Sequence, residues 1–389
     1  MEPETKVRKG DRIVVLLKHV DRTEISAPDI VRRIRRMCSE FSVTILTGTP
    51  NECRILFPGA KVLGFQEAPS RNRELPFLAL CWMALPFMRY DAIFVADVIS
   101  LPAILTHTRG PCLCYGNTHP KQHVKVRRER GSVLSGLSAA LYWSILRRTL
   151  RKCDVVAAIS PQLASVFRTL GVKPSRTRVI LVGVPGEMFE RPPHYSEERR
   201  RRPNVAVCTG TVSVERGLAV IVEGAKKAAG TTRDFKIRLI GCREADMALV
   251  RKLAGEAGVQ DIVEPNPPIR HSEIPQSLWE ADWGISLLEP NEYFEASPPL
   301  KVLEYLAAGL PVIANEISTH SLYLEDGLNS IMIPYDSEAF ARATLSLIHD
   351  DALRTLLSRN ARMSALRFSE RESIESLVRE MTLLSRNGR

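Results

Sequence analysis

Short apolar, β-branched runs alternate along the chain with longer stretches of helical periodicity, the pattern expected of parallel α/β sheets. In the first half the strand runs are 13–17, 43–46, 92–96, 112–115, 155–159 and 179–182. Helical spacing predicts helices at 27–38, 78–88, 101–107, 134–151 and 161–170. The second half repeats the cycle, with strands at 205–209, 236–240, 262–264, 284–288, 312–314 and 330–333. Its helices fall at 215–229, 244–257, 272–280, 299–308, 337–349 and 351–366, and a last amphipathic stretch runs from Glu370 to Leu384. Two successive cycles of similar size predict two doubly wound domains rather than one closed barrel.

Between the cycles lies PGEMFERPPHYSEERRRRP, from Pro185 to Pro203, rich in proline and charge and poor in apolar residues. It reads as a linker. The expected division is therefore 1–190, a linker at 191–203, a second domain at 204–367 and a terminal helix within 368–389. The arginines Arg199–Arg202 are either a solvated part of that linker or a phosphate-binding patch.

Charge separates the halves. Residues 1–190 hold 29 Lys and Arg against 16 Asp and Glu, a balance of +13, and the remainder of the chain carries −3 of the total +10. A basic first half implies an anionic partner, such as an acidic membrane surface or a phosphate-bearing substrate. The eight cysteines form no CxxC pair and no zinc-ligand spacing. Free thiols in a large chain fit a reducing, cytoplasmic setting, and no metal is expected. The N-terminal MEPETKVRKGDRIVVLLK does not read as a signal peptide. The longest apolar run, LPFLALCWMALPFM, has 14 residues and two internal prolines, which suits a core or interfacial helix rather than a membrane span.

The chemistry is concentrated in Glu289–Ala314, EPNEYFEASPPLKVLEYLAAGLPVIA. It reads as strand end, polar loop, helix and next strand, with Ser297 at the N-cap and Pro299 in the first turn. The N–H groups of Leu300 and Lys301 at such a helix start, with its positive dipole end, suit a diphosphate without a metal. Glu304 follows inside an apolar run, where a carboxylate needs a partner. The vicinal hydroxyls of a ribose would supply one. Two further strand ends carry glycine: Gly210, followed by Thr211 and, later, Arg216, and Gly241 after IRLIG. In open α/β sheets ligands collect at those carboxyl ends.

Together these stretches resemble the group 1 (family 4) retaining, metal-independent glycosyltransferases of GT-B fold. The resemblance is specific in SPPLKVLEYLAAGLPVIA, LEDGLNSIMIPYD and the NARMSALRFS tail, and reaches back to CDVVAAISPQLASVFRTLGVKPSRTRVILVGVPGEMF. It is looser over 1–150, where KHVDRTEISAPD stands in place of the family's glycine-rich acceptor loop. The resemblance implies two Rossmann-like domains facing across a cleft, the nucleotide-sugar donor on the second, the acceptor on the first, and a final helix returning to the first. Glu304 matches the second glutamate of the family's E-x7-E motif. The first would fall at Ala296, beside Glu295. The usual arginine and lysine phosphate binders fall at Thr211 and Arg216, so Arg216 and Lys301 are expected to neutralise the diphosphate. His119 in CYGNTHP is the best match to the family's mid-domain histidine near the donor sugar, with His123 second. Its role would be a hydrogen bond to the sugar rather than general base. Arg216, His119 and Glu295 are thus the catalytic candidates.

The cations Lys125, Arg127, Arg128, Arg130, Arg147, Arg148, Arg151 and Lys152 flank an apolar helix. They are either solvated ends of a core helix or a peripheral docking face for anionic lipid, which would suit a lipid-linked or glycan acceptor. Nucleic acid is not an expected partner. Two other functions stay open: a nucleotide-sugar epimerase on the same fold, and a non-catalytic protein binding a nucleotide sugar or an anionic surface.

Overall fold

Four- to six-residue apolar segments form the strands of both sheets because each is covered on both faces. The computed structural model describes residues 10–20, 28–65, 74–106, 110–121, 133–190 and 204–387. The first sheet has β1 (Arg12–Leu17), β2 (Ser42–Thr47), β3 (Lys61–Leu63), β4 (Ala92–Val95), β5 (Cys112–Gly116), β6 (Val155–Ala158) and β7 (Thr177–Val179). The second has β8 (Asn204–Thr209), β9 (Phe235–Ile240), β10 (Val263–Asn266), β11 (Trp283–Ser286), β12 (Val312–Asn315) and β13 (Ser330–Ile333). Their orders are β3-β2-β1-β4-β5-β6-β7 and β10-β9-β8-β11-β12-β13. All strand pairs are parallel. Each sheet reverses its winding once, between β1 and β4 and between β8 and β11, which opens a crevice at the carboxyl ends there.

In β8, Ala206 and Cys208 enter one apolar cluster while Val205 and Val207 enter another. Ile313 and its neighbours Val312 and Ala314 divide in the same way. Alternation therefore feeds two cores, and the strand reads as continuously apolar. Gly284 in β11 permits the closest packing, since a Cβ there would lie 2.3 Å from the Tyr305 ring.

The chain divides into a unit of Met1–Leu181 with Glu372–Arg389 and a unit of Val182–Arg371. The division falls before the proline-rich stretch, not within it. Val184 bridges to Ser369, and Met188 is buried in a second-unit core, so 184–190 packs on that unit rather than linking freely. The linker core 191–203, with Arg199–Arg202, lies outside the described residues, as do His123, Lys125, Arg127, Arg128 and Arg130.

The short strand β3 and the helix Pro50–Leu56 were not expected. Three residues of strand and seven of helix carry too little periodicity to stand out. The segment expected as a strand at 179–182 pairs earlier, at Thr177–Val179. The segment expected as a helix at 101–107 is a 3-10 helix, Val98–Ile104, capped by Asp97, which accepts from Ser100 N. Burial raises the Asp97 carboxyl above its ordinary value, against the hydrogen bonds from Ser100.

The last helix, Glu370–Asn387, joins the first unit through a buried polar group. Arg33, fully buried on the helix Pro28–Glu40, pairs with Asp29 at 2.9 Å and donates to Ser373 Oγ at 2.8 Å. Its guanidinium lies 4.5 Å from the centre of the Tyr115 ring, and Tyr115 donates its hydroxyl to Asp29 at 2.6 Å. Burial holds the Tyr115 phenol well above its ordinary value, so it remains a donor.

The apolar run LPFLALCWMALPFM forms the helix Glu74–Ala84 and a 3-10 turn, Leu85–Phe87. Phe77, Leu78, Cys81 and Leu85 are buried, whereas Leu75, Met83 and Phe87 are 77%, 67% and 88% exposed. Among the described residues no helix is long and apolar enough to cross a membrane.

Candidate functional site

The site residues of the second unit gather at the carboxyl ends of its strands. β8 leads into Gly210, with φ +92°, and β9 into Gly241, with φ +119°, a region that favours glycine. A Cβ on Gly241 would lie 2.2 Å from the Gly210 carbonyl oxygen, so the two turns touch through backbone. The equivalent position on Gly210 faces open space, and Thr211 beside it is exposed.

The loop after β11 is fastened to the one after β12. Asn315, buried at the end of β12, exchanges two hydrogen bonds with the backbone of Leu288, at 2.8 and 2.9 Å. Thr319 donates to the Phe294 carbonyl at 2.6 Å, and Glu295 accepts from Ser318 N at 2.8 Å. Glu295 therefore braces a loop, which differs from the acid/base role expected of it. Arg216, in the 3-10 turn Val214–Arg216, places its guanidinium 5.2 Å from the centre of the Phe294 ring.

The braced loop delivers the chain into the helix Leu300–Ala307. Ser297 is not its N-cap. Pro299 occupies that place, extended at ψ 117° and making no side-chain cap bond. A residue before proline is pushed out of the helical region, so Pro298-Pro299 delays the helix by two residues. The consequence favours an anion site. Val302 N donates to Pro299 O, but the N–H groups of Leu300 and Lys301 have no partner among the described residues. Ser297 Oγ is buried and also without one. The far end closes as expected: Gly309, at φ +75°, lets its own N–H reach Leu306 O and that of Leu310 reach Tyr305 O.

Lys301 is buried, with Nζ 3.3 Å from Cys208 Sγ, so its side chain leans toward β8. His320, also buried, lies 2.7 Å through Nδ1 from the Asn315 carbonyl and 2.9 Å through Nε2 from Ser286 Oγ. A carbonyl only accepts, so Nδ1 carries the proton and Nε2 accepts from the serine. Burial lowers the imidazole from 6.5 to about 4; the Asn315 carbonyl opposes this and the Lys301 charge adds to it. Above pH 6.5 the ring is neutral folded and unfolded. Below that, the unfolded chain takes a proton that the folded chain refuses until about pH 4, so stability falls across this window. The loss amounts to roughly 3 kcal/mol. Melting curves from pH 7 to 4 should therefore fall more steeply for the wild type than for His320→Gln; parallel curves would remove His320 from the account.

Glu304 finds a protein partner that sequence reasoning missed. His271 Nε2 lies 3.1 Å from Glu304 Oε1. His271 is 33 residues away, in a loop after β10 with no motif of its own, and no sequence signal marked it.

His119 belongs to the first unit, buried after β5, and its Nδ1 accepts from Lys121 N at 3.2 Å. No described hydrogen bond joins it to Arg216 or Glu295. Of the basic face, Arg148 is exposed, but Arg151 donates to Leu170 O at 2.9 Å and Lys152 to Leu105 O at 2.5 Å. Those two cations are tied into the unit and do not form a free lipid-facing edge.

The sequence matches the family described as Glycosyl transferases group 1 over residues 203–350. It matches Glycosyltransferase Family 4 over residues 24–187. It is similar to D-inositol 3-phosphate glycosyltransferase of Acidothermus cellulolyticus, 25% identical over 60% of this chain and 55% of that protein. This match thus spans about half the relative's length. It is also similar to the putative colanic acid biosynthesis glycosyltransferase WcaL of Salmonella typhimurium, 24% identical over 80% of this chain and 75% of that one. In fold it is similar to Anabaena Alr3699/HepE, solved in complex with UDP and glucose. The TM-score is 0.73 at 16% identity, covering 96% of this chain and 100% of that one.

Proposed function

We propose, from the premise that the chain belongs to the group 1 glycosyltransferases of GT-B fold, that it moves a hexose-type sugar from a nucleoside-diphosphate sugar to an acceptor hydroxyl. Retention at the anomeric carbon and independence of metal are part of the proposal. The observation that carries it is the start of the helix Leu300–Ala307. Two amide N–H groups and the buried Ser297 hydroxyl lack partners there, and Glu304 follows a turn later. Alr3699/HepE, of the same fold, has been solved with UDP-glucose, which supports a nucleotide sugar as donor.

As the bond from the anomeric carbon to the diphosphate oxygen breaks, charge builds on the diphosphate. The Leu300 and Lys301 N–H groups and the helix dipole meet it, with Arg216 as the mobile cation. The acceptor oxygen bonds to the same face of the sugar, and its proton passes to the departing diphosphate. The test is incubation of the full-length protein with labelled UDP-, GDP- and ADP-sugars and a lipid-phosphate extract, with and without EDTA. Labelled product of retained configuration in both conditions is expected. Isomerised donor would select an epimerase instead, and binding without product a non-catalytic protein.

The acceptor side of the proposal includes a lipid surface. Leu75 and Met83, eight residues apart on one helix, share an outward face with Phe87 beyond, and Arg89 is exposed next to it. Exposed apolar side chains in a half of the chain with a balance of +13 suit an anionic bilayer interface. The protein should co-sediment with vesicles containing phosphatidylglycerol and not with purely zwitterionic ones, and Phe87→Ser should weaken that binding. Equal binding to both vesicles would remove the electrostatic part.

A further inference from the structure

We infer that His271 is a positioning residue for Glu304, and that the pair makes the site select ribonucleoside over 2′-deoxyribonucleoside diphosphates. The inference rests on the reading of Glu304 as the group that meets the nucleotide's sugar, and adds how that carboxylate is held and what it discriminates.

His271 opens the 3-10 turn His271–Glu273, directly after the loop that leaves β10. The turn is pinned by its neighbour: Arg270 N donates to Glu273 Oε2 and the Arg270 guanidinium to Glu273 Oε1, both at 2.9 Å. The imidazole of His271 is thereby presented to Glu304 from a fixed backbone. Both side chains are only 15% exposed, so their 3.1 Å contact is shielded from water rather than solvated at the surface.

The contact uses one carboxylate oxygen. Oε1 faces Nε2 of His271, while Oε2 has no hydrogen-bond partner among the described residues. A glutamate free in solution samples several rotamers, and holding it in one of them costs entropy. His271 meets that cost before any ligand arrives. The open oxygen retains its lone pairs for the O2′ and O3′ hydroxyls of a ribose, which are close enough to donate to it together. A 2′-deoxyribose supplies one donor in place of two, leaving the shielded carboxylate underused. Discrimination of this kind is strong where a site is built around a hydroxyl and weak where it merely tolerates one.

The probes are uridine, guanosine and adenosine diphosphates with their 2′-deoxy counterparts, titrated calorimetrically against the full-length protein. The wild type should bind the ribo form of its preferred base about tenfold more tightly than the deoxy form, the scale of one hydrogen bond to a charged group. Glu304→Ala should bring the two affinities together. His271→Ala, with Glu304 intact, should shrink the preference to about threefold or less, and His271→Gln, which can still donate to Oε1, should restore most of it. A purely structural role for His271 would lower both affinities and leave their ratio alone.

If Glu304→Ala erases the preference while His271→Ala keeps the wild-type ratio, the positioning role is overturned and the ribose assignment survives. Tighter nucleotide binding by His271→Ala would also overturn it, since the histidine would then be an obstruction. If the wild type shows no ribo preference, or binds none of the six nucleotides, the reading of Glu304 and this inference fall together.

Discussion

Arg33→Met should destabilise the first unit by about 3–5 kcal/mol, because it strips the partner from a carboxylate that stays buried. Arg33 is fully buried, and Asp29, 2.9 Å away, has no comparable access to water. The same change removes the bonds to Ser373 on the final helix and the stacking over Tyr115. For a unit of this size the melting temperature should drop by roughly 10 °C. Amide exchange along Glu370–Asn387 should rise with it, since that helix loses its buried anchor. Adding Asp29→Asn to Arg33→Met should recover part of the loss, because the double change no longer leaves an unpaired buried charge. A single variant within about 1 kcal/mol of wild type would show that the group contributes little.

The second large effect is on binding. Glu304→Ala should weaken nucleoside diphosphate binding by roughly 10- to 100-fold, the scale of one or two hydrogen bonds to a charged acceptor. The melting temperature of the free protein should barely change, since alanine suits a helix interior and His271 lies at a partly exposed edge. The ligand-induced thermal shift is the readout, because it depends on the logarithm of ligand concentration over Kd. At a fixed ligand concentration the variant should show about 1.4–2.8 kcal/mol less stabilisation. An unchanged shift would detach Glu304 from the donor and weaken the whole assignment of the site.

Much of the site was legible because its signals are local. Gly210, Gly241 and Gly309 stand at strand and helix ends where positive φ is required, and each occupies such a conformation. The helix after SPP and the strand after GLPVIA are both present. Reading Ser297 as the N-cap failed because cap preference was weighed without the restraint that two successive prolines place on the residues before them. Glu295 was read by its nearness to Ala296 in sequence, whereas the direction of its side chain is decided by Ser318, 23 residues on. The linker boundary failed for a related reason. A polar, proline-rich composition cannot show that Met188 within it is buried in a core.

By itself, then, the order of residues determined the succession of strands and helices, the two α/β cycles and the place of the phosphate-facing helix. Those features follow from periodicity and from backbone preferences acting over a few residues. Only the tertiary structure decided what the polar groups do: Glu304 against His271, Glu295 against Ser318, Lys301 against Cys208, and Arg33 against Ser373, 340 positions away. A buried charge takes whichever partner the packing of distant segments brings within about 3 Å, and no local pattern encodes that choice.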